Sequence, residues 1–430
     1  QVMFDQCKAL IIGLQKRGAV VGSSLNTAYL LERLSQTLER LETLMAIFVS
    51  NRYLPRRILL LTGCFARAAA ERHSISRLWK QSSGLMARSV TQNAGDHGEH
   101  YITRDKKEYW AMFYSAAGGG VLIALMALFK TYLGSIIDDK VWKGIAEGLN
   151  YGLGFMVIFM LHFTVATKQP AMTAARFAEA VEKTPQGKTV NMKLAQLLVD
   201  VFRSQSIAVL GNVLIAMGLA ALIAFGYQYK TGEPLMNADQ IAYQLHSIDP
   251  FAGTLWFAAI AGVWLFCSGI ISGYFDNRSN YLNMRMRLTQ HPLLKKLMSE
   301  KTRVKFANYM HDNYGSLIGN LCFGMLLGIT GVVGYLTHLP LDIRHVAFSS
   351  ANVGYIAVSG QFTYSLLLQC IGFVLLIGLV NLIVSFSLTL WVALRSLNTE
   401  IDSWWPIWHE VCQIVKKRPL SLFLPAQLDK

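Results

Sequence analysis

The chain has 430 residues, of which 53% are hydrophobic and only 15% charged, and its formal net charge is +14. Globular proteins carry roughly 25% charged residues, so this composition is not that of a soluble protein, and it excludes a disordered chain and a coiled-coil rod. The six cysteines show no CxxC and no metal-ligand spacing, which excludes a disulfide-stapled secreted module and indicates a reducing compartment.

Residues 1–105 are predicted to form a helical cytoplasmic domain. Apolar residues at three- and four-residue spacing indicate one amphipathic helix, and the row is too short for a coiled coil, so packing in a helical bundle is favoured. The row consists of Leu31, Leu34, Leu38, Leu41, Met45 and Phe48. Because the chain opens with Gln1 rather than Met, we expect this domain to be the C-terminal part of a longer one.

A polar segment just before the first apolar run is a candidate ligand site. His97, Glu99 and His100 are residue types that bind transition metals, but the H-E-x-x-H spacing of zincins is absent, so no metal is assigned. Arg104 and the two lysines that follow it are suited instead to a lipid phosphate. A capped, solvated turn is the third interpretation, and all three stay open.

Six apolar runs reach the length of about 20 residues that a helix needs to cross a membrane. They predict an all-α integral membrane protein with six transmembrane helices, and aromatic residues at the ends of the runs fit the membrane interface. The spans cover about 110–129, 145–166, 207–229, 251–274, 315–336 and 365–394, within a transmembrane domain of residues 106–398.

The distribution of lysine and arginine predicts the orientation. Alternate segments outside the spans hold 16, 6, 8 and 5 of these residues, whereas the connections between them hold 3, 1 and 1. By the positive-inside rule both termini are cytoplasmic.

An internal repeat is predicted with a period near 100 residues. Gly119, Gly211 and Gly319 begin similar strings in the first, third and fifth spans. The unit is a helix hairpin followed by a basic inner segment, so three tandem hairpins would be related by an axis along the membrane normal.

Small residues at four-residue spacing predict close helix packing in lipid. Examples are Gly144/Gly148/Gly152 and Gly324/Gly328. Polar residues within the spans have two interpretations, interhelical hydrogen bonding or a polar axial pathway, and these residues are His162, Asn212, Asn320 and Asn381. No carboxylate lies in the middle of a span, which argues against proton-coupled transport.

A polar outer segment, residues 339–346, precedes a stretch of small residues that is too polar to span a membrane alone. Asp342, Arg344 and His345 are its candidate site residues. We expect a buried pairing of Asp342 with Arg344 or a re-entrant loop, and a structural plug and a ligand site are equally open.

At the C-terminus, residues 399–430 are predicted to form an interfacial amphipathic helix and a tail. Tryptophans at 404, 405 and 408 precede the basic string Lys416-Lys417-Arg418, a pattern typical of a helix lying on the inner leaflet.

Four strings resemble a bacterial family catalogued as site-specific recombinases of the gonococcal type. They are GEHYITRD (98–105), TKQPAMTAA (167–175), FDNRSNY (275–281) and PLDIRHVAFS (340–349), and the resemblance covers about residues 30–395. The family name implies DNA strand exchange. However, a tyrosine recombinase requires an H-x-x-R motif, and none of the ten histidines has an arginine three residues later.

The favoured hypothesis is an inner-membrane protein that transports or handles a lipid-like or small solute, or that scaffolds envelope proteins. A membrane-tethered site-specific recombination factor is the first alternative, and a membrane enzyme acting on a lipid headgroup is the second. The expected partners are membrane lipids, other envelope proteins or a second copy of the chain. Nucleic acid and cofactors are not expected.

Overall fold

The structure, a computed structural model, describes residues 2–21, 25–49, 54–70, 102–103, 105–165, 174, 177, 180–181, 188–359, 362–396 and 403–424. All regular elements among these residues are helices, as the apolar runs predict. In chain order they are α1 (Val2–Val21), α2 (Leu25–Val49), α3 (Leu54–Ala70), α4 (Lys106–Ile136), α5 (Lys140–Met160), α6 (Lys188–Thr231), α7 (Ala238–Ile248), α8 (Thr254–Tyr281), α9 (Met284–Gln290), α10 (Pro292–Leu297), α11 (Glu300–Thr337), α12 (Val346–Ala357), α13 (Tyr364–Ser396) and α14 (Trp405–Lys417), with short 3-10 turns at Pro250–Ala252 and Pro419–Leu422.

Contacts divide the chain into two compact units, which are described separately. One comprises residues 1–93 and 273–314, and the other comprises residues 94–272 and 315–430. The domain boundaries predicted at residues 105 and 398 stay predictions.

In the first unit, α2 contacts both α1 and α3. The Lys8 ammonium pairs with the Glu42 carboxylate, which joins α1 to α2. Along the predicted apolar row of α2, Leu38 is buried, whereas Leu34 and Met45 are each 49% exposed. Contacts with the described residues therefore bury only part of that row.

The other segment of this unit, residues 273–314, is held together by polar contacts. The Ser279 hydroxyl lies 3.1 Å from Nδ1 of His311, and Arg285 pairs with Asp312 at 3.1 Å. These contacts join the end of α8 and helix α9 to the first part of α11.

Five described helices are long and apolar enough to cross a membrane. They are α4, the Asn191–Thr231 part of α6, α8, α11 and the Tyr364–Arg395 part of α13. Each overlaps one of the predicted spans. The predicted span at 145–166 has no counterpart in this set, so six spans and three hairpins stay predictions.

Helix α5 does not extend over the predicted span, because it begins at Lys140 and ends at Met160. Asp139 caps its start, accepting hydrogen bonds from the next helical N–H groups. At its end His162 takes a left-handed φ of 59°, and the N–H groups of His162 and Phe163 bond back to the carbonyls of Phe159 and Ile158. This is a Schellman motif with histidine in the place that glycine usually occupies.

Glycine rows pack α5 directly against α11. A Cβ atom on Gly324 would overlap the backbone of Gly152, and one on Gly328 would overlap the backbone of Gly148. The two backbones are therefore in contact, which is the close packing that the four-residue spacing predicts.

Helix α12 forms the centre of the second unit. Ten of its twelve residues are buried, and it contacts α4, α6, α7 and α13. Tyr355 donates a hydrogen bond to the carbonyl of Ala124 at 2.8 Å, and the backbone of Gly354 lies against the carbonyl of Met217. The stretch that was predicted to be too polar to span is thus a buried inner helix.

Helix α14 packs beside α6 and covers its first turns. Ile407 is buried in an apolar cluster with Leu194, Ala195 and Leu390. Trp405, in contrast, is 77% exposed.

Candidate functional site

A cavity of about 470 Å³ lies in the second unit. Four parts of the chain line it: the last turns of α4, the first half of α5, helix α7 with the connection before it, and residues 342–352. We call it the charged cavity. Its lining includes Lys130, Lys143, Glu147, Asp239, Asp342 and Arg344.

One ion pair joins α4 to α5 in the wall of the charged cavity. Nζ of Lys130 lies 3.3 Å from a carboxylate oxygen of Glu147, whose side chain is only 14% exposed. The same ammonium lies 5.6 Å from the ring centroid of Tyr151. The pair and the ring stabilise the Lys130 charge at this partly buried position.

Arg344 holds the second ion pair. Its Nη1 donates to Asp342 at 2.6 Å, and its Nε donates to the carbonyl of Ser247 at 2.8 Å. The guanidinium also lies 5.4 Å from the ring centroid of Phe257. These contacts join the segment before α12 to α7 and α8. Asp342 pairs with Arg344 as expected from the sequence, but its side chain is 37% exposed, so the pair is only partly buried.

Asn381 positions the start of α12. Its amide nitrogen donates to the carbonyls of Ala258 at 2.7 Å and Arg344 at 3.0 Å, and its oxygen accepts from the N–H of Val346 at 3.2 Å. The side chain is fully buried. One amide on α13 thus satisfies three backbone groups from two neighbouring segments, and this fixes where α12 begins.

His345 lies at the same helix start, in an aromatic environment. The centroids of Phe323 and Phe348 are each 5.8 Å from its ring, and that of Phe155 is 6.2 Å away. Burial lowers the pKa of His345 to about 3, because the charged form would lose its hydration. The imidazole is therefore neutral at physiological pH.

Three further side chains line the charged cavity with their polar groups uncommitted. Ser349 and Asn352 lie one turn apart on α12, and Lys143 lies one turn before Glu147 on α5. None of these three forms an ion pair or a side-chain hydrogen bond with a described residue. Their donors are therefore available to water or to a ligand in the cavity.

A model of one protein family, described as site-specific recombinase, matches residues 1–425 of the chain. The chain belongs to the site-specific recombinase family. This confirms the resemblance indicated by the four sequence strings. No curated protein and no solved structure matches the chain.

In this family member, the structure brings together three of the predicted site residues. Asp342, Arg344 and His345 all line the charged cavity. The predicted site before the first span, His97, Glu99, His100 and Arg104, lies outside the described residues. Within the part of the chain that is described, no group of three or more His, Cys, Asp or Glu side chains is arranged to hold a metal ion.

The four polar residues predicted within spans have different environments in this recombinase-family chain. Asn212 bonds the carbonyls of Ala116 and Thr164, as Asn381 bonds its own neighbouring segments. Asn320 instead bonds the carbonyl of Ser316 in its own helix at 2.8 Å. His162 is exposed in the turn after α5.

Sequence reasoning missed the contribution of α4 and α5 to the site. Lys130 and Lys143 were only counted among the basic residues of the first connection, and Glu147 was given no role. The signal that was available is the spacing of Lys143, Glu147 and Tyr151, which repeats every four residues and therefore follows one side of a helix.

Proposed function

We propose that this family member is an inner-membrane protein that binds a small polar solute, or the headgroup of a lipid-like molecule, in the charged cavity. It would take up or hand on this ligand at the non-cytoplasmic face of the membrane. The bilayer, the location of the cavity and the ligand rest on separate observations.

The exposed apolar surface supports the bilayer as solvent. Only 28% of the most apolar part of α13 is buried within the protein, and Leu368 and Ile383 are 70% and 52% exposed. Each Å² of apolar surface exposed to water costs about 25 cal/mol, a cost that lipid chains remove. The same surface is favourable only if hydrocarbon covers it.

The charge distribution supports the orientation. The residues that line the charged cavity lie in, or within two turns of, the connections between predicted spans that hold few basic residues. Helix α14, which carries Lys416 and Lys417, packs on the first turns of α6, at the end opposite the cavity. By the positive-inside rule, α14 is cytoplasmic and the cavity opens on the other face.

The observation that carries the proposal is the charged cavity itself. Its volume of about 470 Å³ falls in the range of roughly 300–1,000 Å³ that is typical of sites for small molecules. Its wall is fixed by two ion pairs, while Lys143, Ser349 and Asn352 keep their polar groups free of described partners. A packed scaffold would leave neither the volume nor the uncommitted donors.

The test is whether a molecule purifies with the protein and depends on the cavity. Full-length protein is purified in a mild detergent, and the bound small molecules are identified by mass spectrometry. In Asn352→Trp the indole fills the cavity, so we expect the bound molecule to be lost. Thr337→Trp adds the same ring at an exposed position outside the cavity and should retain it.

A second filling variant, Gly134→Leu, guards against misfolding of the first. Gly134 lines the cavity, and the nearest atom to an added Cβ is the end of the flexible Lys143 side chain, at 3.1 Å. If wild type carries no molecule above the level of both filling variants, the binding function is wrong and a scaffolding function remains.

The family description favours a second candidate, a membrane-tethered factor for site-specific DNA recombination. Sixteen Lys and Arg residues among the first 109 are consistent with phosphate contacts. Binding and cleavage of duplex DNA at rising salt decide between the two. Affinity from phosphate contacts alone falls steeply with salt, whereas a salt-resistant, sequence-dependent cleavage product would favour recombination over solute binding.

A further inference from the structure

The cavity wall carries three positive and three negative side chains, and among the described residues two of the six, Lys143 and Asp239, form no ion pair. Lys130 is neutralised by Glu147, and Arg344 by Asp342. Asp239 is exposed in the first turn of α7, where the helix N-terminus stabilises a carboxylate. Lys143 is half-buried in the wall and forms no ion pair with any described carboxylate, so one positive charge inside the cavity is unpaired.

Uncommitted hydrogen-bond donors line the same cavity as the Lys143 ammonium. The contacts of Arg344 with described residues use its Nε and Nη1, which leaves the N–H groups of Nη2 uncommitted among them. Ser349 and Asn352, three residues apart on α12, offer a hydroxyl and an amide on one side of the helix. The uncommitted donors thus come from α5, from α12 and from the segment before α12.

We infer that the charged cavity binds a phosphate group, held by Lys143 with Arg344, Ser349 and Asn352. A phosphate offers several strong acceptor oxygens and a negative charge, which matches one unpaired ammonium and further donors in the wall of the same cavity. The guanidinium of Arg344 is already oriented by Asp342 and Ser247, so little side-chain entropy is lost when its free edge donates to the ligand. This inference rests on the proposed binding function and specifies its ligand.

Two sources of phosphate share this chemistry: the headgroup of a phospholipid and a free phosphorylated solute. Titration calorimetry on the full chain in maltoside detergent separates them, with glycerol 3-phosphate as the free probe and dihexanoyl phosphatidic acid, below its micelle concentration, as the lipid probe. Glycerol is the uncharged control. Binding of either phosphate probe, without binding of glycerol, supports the inference, and the tighter probe identifies the source.

Matched variants on α5 assign the binding to the cavity. Lys143→Gln should weaken phosphate binding by about tenfold or more, since it removes the unpaired charge. Lys143→Arg should restore it. Lys140→Gln removes an equal charge one turn earlier, from an exposed side chain that contacts the ring of Tyr335 rather than the cavity, and should bind as wild type does.

The inference is overturned if neither phosphate probe binds, or if Lys143→Gln and Lys140→Gln bind phosphate equally well. In either case the proposed function is still supported if Asn352→Trp loses a neutral or cationic molecule that purifies with wild type. If Asn352→Trp loses nothing, the proposed function fails as well.

Discussion

Two rows of residues on α5, offset from each other by one position, lie in different surroundings. Gly144, Gly148 and Gly152 contact α11. The other row, Lys143, Glu147 and Tyr151, lines the charged cavity. The first row admits a neighbouring backbone because it has no side chains, whereas the second places two charged groups and the buried ring of Tyr151 in the cavity wall.

The comparison extends to the polar groups of the unit. On the packed side, Asn212 and Asn381 donate hydrogen bonds to backbone carbonyls of other segments, so they hold those segments together. On the cavity side, Lys143, Ser349 and Asn352 have none among the described residues. Partnered polar groups in this molecule contribute to stability, and uncommitted ones are available for binding. The following predictions separate the two.

The largest expected effect is on the packed row. Gly324→Leu would force α11 away from the backbone of α5, and we expect a loss of about 3 kcal/mol or more, enough to prevent recovery of folded protein. Size-exclusion chromatography and thermal unfolding in detergent measure this. Gly331→Leu is the control on the same helix, because nothing lies within 4 Å of its Cβ position. Equal behaviour of the two variants would contradict the close packing.

The next largest effect concerns the asparagines that join separate segments. Asn381→Leu would leave the carbonyls of Ala258 and Arg344 and the N–H of Val346 without this partner, so we expect a loss of about 2–3 kcal/mol and a lower Tm. Asn320→Leu removes only a bond within one helix and should cost less than about 1 kcal/mol. If Asn320→Leu proves the more damaging, Asn381 does not fix the start of α12.

A pH-dependent effect follows from His345. Its pKa is lowered to about 3 in the folded chain from an ordinary value of 6.5, so below pH 6.5 the unfolded chain binds a proton that the folded chain does not. Stability is therefore complete above pH 6.5 and is lost as the pH falls toward 3, by up to about 1.4 kcal/mol per pH unit.

The matched variants for this effect are His345→Gln and His338→Asn. Tm measured from pH 7 to pH 4.5 should fall less steeply in His345→Gln than in wild type. His338 is exposed and has a φ of 55°, which asparagine tolerates, so His338→Asn should keep the wild-type slope. Parallel slopes in all three proteins would mean that His345 is not buried in its neutral form.

The smallest expected effect on stability is at Lys143. Because its ammonium has no described partner, Lys143→Gln should change the free energy of unfolding by no more than about 0.5 kcal/mol. Thermal unfolding of ligand-free protein measures it. A loss of stability as large as that of Asn381→Leu would mean that Lys143 stabilises the fold, and would remove Lys143 from the proposed binding site.

The sequence predicted much of the packed side and less of the cavity. Four-residue glycine spacing identifies a surface that a neighbouring helix approaches, but it does not identify the neighbour, so the pairing of α5 with α11 was not predictable. The pairing of Asp342 with Arg344 could be predicted because few other charges lie in the outer region. Lys130 and Glu147 lie on either side of the turn between α4 and α5, and only the way these two helices pack brings the charges together.

Helix α5 ends before the predicted end of the second span for a local reason. The run from Leu161 to Ala166 is mostly apolar, and hydropathy therefore extends the helix through it. The helix ends because His162 adopts a left-handed conformation, and the carbonyl of Thr164 bonds Asn212 on α6. Without glycine at this position, the sequence carried no stop signal. Similarly, the small residues of α12 were interpreted as polar, whereas they permit its burial against α6.

The most direct test of the central claim is the accessibility of two cysteines at opposite ends of α6. In an otherwise cysteine-free chain, Asn237→Cys reports the cavity end and the exposed native Cys412 reports α14. Along α6, Ala195 packs beside α14, and Thr231 is the last helical residue before the connection that lines the cavity. The 36 residues from one to the other (231 − 195) span about 54 Å at 1.5 Å per residue, which exceeds a hydrocarbon core of about 30 Å. In right-side-out vesicles, an impermeant maleimide should label the cysteine at 237 at once and Cys412 only after permeabilisation. Immediate labelling of both positions would contradict a bundle that crosses the bilayer with its cavity on the non-cytoplasmic face.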